Sequence, residues 1–203
     1  MKYLFLFSFL LATHATAVAQ PVTVNIDYTA NIPNPEGKFI FYNSGELLNI
    51  AAFAGEADTN SSAVAITSSG FAFKAGFKSA EGKAILNIKV YCSFDKQMSW
   101  MKPNGKNEYI LQHEQQHFNI SYLGAIDFMQ QLKAATFTTD NYNKLIQTLY
   151  NQSSKFMEDL QQTYDSETHN GIIKDRQQYW KEKINKKLAS TSSETNLSAW
   201  KRN

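Results

Sequence analysis

The sequence is poor in cysteine, proline and glycine and has no large excess of either charge. Its 203 residues include one cysteine, four prolines and nine glycines. A single cysteine excludes an internal disulfide framework and a zinc site built from several cysteines. The 20 basic and 18 acidic residues leave a formal net charge of +2. This balance produces no overall field that would attract nucleic acid or a membrane surface, so we expect neither as a partner.

Long apolar runs are also absent, since none reaches the roughly 20 residues that a transmembrane helix needs. The first 19 residues instead have the pattern of a secretory signal peptide. Lys2 gives a positive start, residues 3–12 are largely apolar, and residues 17–19 (Ala-Val-Ala) form a cleavage site with small residues. We therefore expect export to the periplasm or the extracellular space, with a mature chain that begins at Gln20.

The N-terminal half of the mature chain predicts β-strands. Apolar and polar residues alternate in residues 22–29, 71–77 and, most regularly, 83–95, which is the period of a half-buried strand. Residues 38–42 are a further strand candidate. Cys92 falls on the apolar face of the strand over 83–95. We interpret it as an inert core thiol rather than a nucleophile, because burial raises the pKa of a thiol.

The C-terminal half predicts three helices, because its apolar residues recur at intervals of three and four. The first helix is expected over residues 107–133, the second after an N-cap at Asp140, and the third over residues 172–188. The polar segment 189–203 is predicted to be a frayed or disordered tail. The expected fold class is therefore α+β: a mainly antiparallel sheet packs against three helices in a single domain, residues 20–188.

One motif indicates a chemical function. Residues 113–117 read His-Glu-Gln-Gln-His, an H-E-x-x-H sequence inside the first predicted helix. Positions i and i+4 lie on one helix face, so His113 and His117 can bind the same metal ion. Glu114 is rotated by about 100° from His113. It therefore flanks the ion, where a general base can take a proton from metal-bound water. The alternative is a helix with two incidental histidines.

A zinc site that keeps one position open for water needs a third protein ligand. His169 is the only other histidine after Ala19, and a chain-reversing loop after the second helix could return it to the first. Glu167 and Asp165 compete for the same role, because carboxylates also bind zinc. Tyr164 is a candidate donor to a developing oxyanion, with a core position in the helix stripe as its alternative.

Two sequence blocks carry a family resemblance: residues 109–120, around the H-E-x-x-H motif, and residues 164–168 (Tyr-Asp-Ser-Glu-Thr). Together they resemble a bacterial family of predicted secreted zinc-dependent proteases, a domain otherwise of unknown function. In that family's second block a histidine stands one place later than His169 does here. The resemblance also includes residues 48–55, 63–66 and Trp180, and thus extends over most of the mature chain.

The resemblance implies a zincin-like metallopeptidase, in which a sheet edge beside the active helix holds a peptide or protein substrate in extended form. Zn²⁺ would be bound by His113, His117 and a third ligand, with Glu114 as the general base. The strand over 83–95 directly precedes the active helix. The alternative is a non-catalytic envelope protein that binds a partner and uses zinc only for stability. Structural zinc sites usually have four protein ligands, often cysteines, which favours the hydrolase.

Overall fold

The computed structural model describes residues 22–200 and the side chains of residues 22–190, so the predicted signal peptide lies outside the described residues. A four-stranded sheet forms from strands in the first half of the chain, a small two-stranded sheet lies beside it, and three helices follow. The α+β fold class, with the strands N-terminal and the helices C-terminal, is confirmed. The strands are β1 (Val22–Tyr28), β2 (Phe39–Phe41), β3 (Ala65–Ile66), β4 (Ser69–Ala80), β5 (Lys83–Asp95) and β6 (Trp100–Met101).

Strand β5 is the centre of the large sheet. It pairs antiparallel with β4 over the whole length of β4, through a tight hairpin whose two turn residues, Glu81 and Gly82, have positive φ angles. Its other edge pairs with β1 in parallel and with β2 in antiparallel orientation. The alternating apolar side chains of β5, including Cys92, are buried, and burial raises the pKa of the Cys92 thiol well above its usual value.

The three helices are α1 (Glu108–Ala134), α2 (Tyr142–Thr168) and α3 (Lys174–Trp200). Helix α1 is capped by Asn107, whose side-chain oxygen accepts a hydrogen bond from the Ile110 amide (3.1 Å). The predicted cap of α2 at Asp140 is wrong by one residue. Asn141 precedes this helix, and its side chain accepts a hydrogen bond from the Thr138 amide rather than capping the helix.

Helix α1 is central because it packs on the sheet with one face and on α2 and α3 with the other. A second apolar cluster therefore forms between the helices, from Ile120, Leu123, Tyr164, Trp180 and Ile184. Helix α3 continues beyond residue 188 into the segment predicted to be a disordered tail. Residues 189–200 contain no glycine or proline that would end a helix. None of the helices within residues 22–200 is both long and apolar enough to cross a membrane.

Candidate metal centre

Three side chains of the types that can bind a metal ion meet between α1 and α2. His113 and His117 lie one turn apart on α1, and their Nε2 atoms are 3.2 Å from each other. Asp165 approaches from the last turn of α2, with its Oδ1 3.3 Å from His113 Nε2 and 3.0 Å from His117 Nε2. Within residues 22–190 this is the one group of three histidine, cysteine or acidic side chains with donor atoms this close together.

The spacing of these three atoms fits a zinc ion. Zinc–nitrogen and zinc–oxygen bonds of about 2.0–2.1 Å in a tetrahedron place neighbouring ligand atoms about 3.3–3.4 Å apart. The observed separations of 3.0–3.3 Å are close to that value. Asp165 Oδ1 is also buried without a hydrogen-bond partner. An oxygen in this situation is well suited to bind a cation.

The charges of Asp165 and His117 depend on each other. Burial alone would raise the pKa of Asp165, but the two adjacent histidines hold it well below its usual value. Burial likewise opposes a charge on His117, but Asp165 and Glu114 outweigh that effect, so the pKa of His117 is raised. The carboxylate is therefore kept ionised, which is the form that binds a metal.

A glutamine on α2 orients His117. Gln161 donates its side-chain N–H to the His117 backbone oxygen (2.9 Å), so its side-chain oxygen is the atom that faces His117 Nδ1 at 2.5 Å. That oxygen can only accept, so Nδ1 carries the proton. In the neutral ring, which is the form that binds a metal, Nε2 then has a free lone pair directed at His113 and Asp165, as in metal sites whose histidines donate their outer N–H.

The structure separates the three candidates for the third ligand. Helix α2 continues to Thr168, which turns Asp165 towards α1 and leaves His169 at the C-cap in a left-handed conformation. His169 is exposed and lines the cleft, but it is not one of the three grouped donors. Glu167 accepts hydrogen bonds from Trp180 Nε1 (2.8 Å) and from Arg176, so it is directed to α3. The position expected for His169 is therefore taken by Asp165.

Tyr164 has a supporting position rather than the expected catalytic one. Its side chain is fully buried, and its ring stacks on His113 with the centroids 4.7 Å apart. The hydroxyl donates to the backbone oxygen of His113 (3.4 Å), and burial, reinforced by Glu114, raises its pKa. The side chain is not among those that line the cleft. Tyr164 therefore fixes the ring of His113, as expected from its alternative reading as a core residue.

A cleft of about 830 Å³ opens in front of the three donors. Glu114, one residue along α1 from His113, lines this cleft but is not one of the three donors. Glu114 therefore shares the cleft with the three donors, and the general-base role predicted from the H-E-x-x-H pattern stays a prediction. Residues 62–67 form one wall of the cleft and residues 169–172 form another.

The sheet edge at the cleft belongs to β3 rather than to β5, the strand that precedes the active helix among the predicted strands. Strand β5 is paired on both edges. Strand β3 pairs only with β6 among the described strands. Val64 O accepts from Lys102 N (2.8 Å) on the β6 side, and backbone groups alternate between the two sides of an antiparallel strand. The backbone N–H and C=O groups of Ala65 therefore point away from β6. On that side of β3 no described strand pairs with them.

Sequence reasoning missed Gln161 and did not separate Asp165 from its rivals. The sequence contained one indication of both roles, the spacing of the two residues along α2. Gln161 and Asp165 are four residues apart, so they share the helix face that meets the H-E-x-x-H helix. Glu167 is two residues beyond Asp165 and faces another direction. That spacing alone did not show which face of α2 packs on α1.

Residues 91–171 match a protein family described as "Bacterial protein of unknown function (DUF922)". The match covers less than half of the chain, and it includes His113, His117, His169, Glu114 and Asp165. It is narrower than the resemblance expected from the sequence, since residues 48–55, residues 63–66 and Trp180 lie outside it. Comparisons with curated proteins and with solved structures gave no match.

Proposed function

We propose that this protein is an exported zinc-dependent peptidase with its active site at the candidate metal centre. The observation that carries the proposal is the convergence of His113, His117 and Asp165 at zinc-like spacing. The neighbouring Glu114 lines the same open cleft. Zinc bound there would supply an activated water and polarise a carbonyl group.

The residues around the centre have separate roles in this proposal. His113, His117 and Asp165 hold the ion, and Gln161 fixes the ring of His117. Glu114 takes a proton from the attacking water and passes it to the leaving nitrogen as the peptide bond breaks. Since Glu114 is not one of the three grouped donors, its carboxylate is available for that transfer.

The cleft suits an extended peptide. The unpaired edge of β3 at Ala65 offers backbone groups to a substrate strand, the mode by which many domains bind peptides. Apolar side chains, including Ile66, Ile110 and Ile172, lie around the cleft, and Ile66 and Ile172 are exposed. These features favour a peptide or protein substrate with apolar residues near the cleaved bond.

The alternative, a non-catalytic protein with a structural zinc, requires a closed site. Structural zinc sites generally have four protein ligands. Among the described side chains the group contains three, and it faces a cleft. Both observations favour the peptidase over the structural alternative.

The deciding experiment replaces the proposed base. Glu114→Gln is nearly isosteric and leaves the three donors unchanged, so we expect full zinc content. Peptide hydrolysis should fall by about 10²–10⁴-fold, the usual worth of general acid–base catalysis. Substrates would come from a broad screen of peptides and envelope proteins, and zinc would be measured by atomic absorption.

Glu108→Gln is the matched control, because Glu108 is exposed on the same helix and its side chain accepts a hydrogen bond from Gln112, one turn along α1. This variant should retain zinc and activity. Hydrolysis that persists at the wild-type rate in Glu114→Gln would refute the mechanism. A fourth protein ligand in a zinc-bound crystal structure would favour the structural alternative.

A further inference from the structure

Two further buried polar atoms beside the centre have no hydrogen-bond partner. They are His113 Nδ1, on the side of the ring away from the other donors, and the side-chain oxygen of Gln177 on α3. Buried polar atoms are seldom left without a partner, because an unpaired buried donor or acceptor destabilises the folded protein. One atom is a potential donor and the other an acceptor, so they can satisfy each other.

Both atoms border the same small space at Gly171. A Cβ atom built on this glycine would lie 3.1 Å from His113 Nδ1 and 3.1 Å from the Gln177 side-chain oxygen. The two atoms are therefore separated by no more than twice that distance. A residue with a side chain would fill the space, and Gly171 also has a φ of +82°, which favours glycine.

The chain around Gly171 holds this arrangement in place. His169, Asn170 and Gly171 all have positive φ angles, which bring the loop back over α1. The Gly171 carbonyl accepts a hydrogen bond from the Tyr109 hydroxyl, and its amide donates to Thr168 Oγ1 (3.2 Å). The loop is thus fixed at both backbone groups of the glycine.

The orientation of Gln177 is determined by a hydrogen bond. Its side-chain nitrogen donates to the backbone oxygen of Tyr109 (3.2 Å). A carbonyl oxygen accepts and cannot donate, so the amide cannot be flipped without losing that bond. The Gln177 oxygen must therefore point to the other side, towards Gly171 and His113.

We propose that Gln177 is the positioning residue of His113: its side-chain oxygen accepts the Nδ1–H of His113 across the space beside Gly171, directly or through one water. Gln161 already makes the corresponding direct contact with His117 Nδ1, at 2.5 Å. Each histidine would then be oriented by a glutamine from a different helix, with Nε2 of both rings free for the metal. This inference rests on the proposed zinc centre and assigns Gln177 a role within it.

The test measures zinc affinity by competition with a chelator. Gln177→Met keeps the size of the side chain but removes the acceptor, and affinity should fall by about 10–100-fold, as for other outer partners of metal-binding histidines. Gln177→Glu loses the N–H that is donated to Tyr109 but keeps an acceptor for His113. Because only the acceptor matters for positioning His113, this variant should bind zinc nearly as tightly as the wild type. Rescue by Glu distinguishes positioning from a packing role.

A spectroscopic measurement gives a second result. In long-range ¹H–¹⁵N spectra of the zinc-loaded wild type, His113 should show a slowly exchanging proton on Nδ1. The proton should exchange rapidly in Gln177→Met. Gln178→Met is the matched control, since the exposed Gln178 bonds to Glu182 on the solvent side of α3, and it should behave as the wild type in both measurements.

Each outcome has a distinct meaning. Wild-type affinity in a folded Gln177→Met variant would overturn the role of Gln177 and leave the zinc centre standing. Failure of the wild type to bind zinc would overturn the centre itself and this inference with it. If Gln177→Met does not fold, Gln177→Asn withdraws the acceptor by one methylene, and unchanged zinc affinity in that variant would equally refute the proposal.

Discussion

At the scale of single residues, the identity of the third donor is decided by helix geometry rather than by residue type. A histidine is a common zinc ligand, and His169 stands close in sequence to Asp165. The α2 helix nevertheless continues through Asp165 to Thr168, and the chain turns only afterwards. Asp165 therefore points into the space between α1 and α2, while His169 lies exposed at the helix end.

This assignment makes a prediction about zinc affinity. Asp165→Asn removes the negative charge that adjoins both histidines. Loss of a residue that only hydrogen-bonds to a metal ligand weakens binding by about 10–100-fold, so loss of a ligand's charge should weaken zinc binding by at least about 100-fold. His169→Ala should bind zinc as the wild type does. Isothermal titration of both variants provides the measurement. The reverse order of affinities would restore His169 as the ligand.

At the scale of elements, the centre depends on how closely α1 and α2 pack. The two histidines are on α1, while Asp165 and Gln161 are on α2. A glycine lies where the helices approach. A Cβ on Gly124 would come within 2.9 Å of Met157 Cβ on α2 and within 2.9 Å of the Phe71 ring. The absence of a side chain at Gly124 therefore allows the close approach.

We accordingly predict that Gly124→Ala destabilises the protein, although alanine is the better helix former by about 1 kcal/mol. Overpacking costs about 1–3 kcal/mol, and neither the Met157 Cβ nor the Phe71 ring can move aside as a flexible chain end would. After the gain in helix propensity is subtracted, the free energy of unfolding should fall by up to about 2 kcal/mol in urea titrations, and zinc affinity should decrease with it.

Gly76→Ala is the control for this prediction. Gly76 lies in β4, and a Cβ built there meets no atom within 4 Å. Its substitution should leave the stability close to that of the wild type. A Gly124→Ala variant as stable as Gly76→Ala would show that the helices do not need the glycine.

At the scale of the whole molecule, the proposed ion would connect two helices that otherwise meet through side-chain packing. Anything that binds only the folded state stabilises it, by about 2.7 kcal/mol when its free concentration is 100 times the dissociation constant. Zinc should therefore raise the melting temperature, and a chelator should lower it again. Calorimetry of the protein with and without zinc gives the measurement.

The double variant His113→Ala, His117→Ala provides the control. It lacks two of the three donors, so zinc should leave its melting temperature unchanged. An equal rise in the double variant and the wild type would mean that zinc binds elsewhere.

Export is a second prediction for the whole molecule. The small-residue site ends at Ala19, so protein isolated from its native host should begin at Gln20. Mass spectrometry of the intact protein would show the mass of the shortened chain. A chain that still carries Met1 outside the cytoplasm would contradict cleavage at this site.

The local sequence determined which residues share a face within a single strand or helix. Alternation along β5 fixed its buried face, including Cys92. Helical spacing around residues 113–117 placed His113 and His117 on one face and Glu114 beside them. These features depend on the period of a single element, 2 or 3.6 residues, which can be determined from the residues of that element alone.

Tertiary structure determined those features of the site that depend on how two helices or strands pack against each other. The choice of Asp165, the buried position of Tyr164 and the partners of Gln161 all follow from which face of α2 packs on α1. The edge strand at the cleft is β3, which pairs only with β6 among the described strands. Distances between elements depend on packing across the core, and the spacing of residues along the chain carries no direct record of that packing.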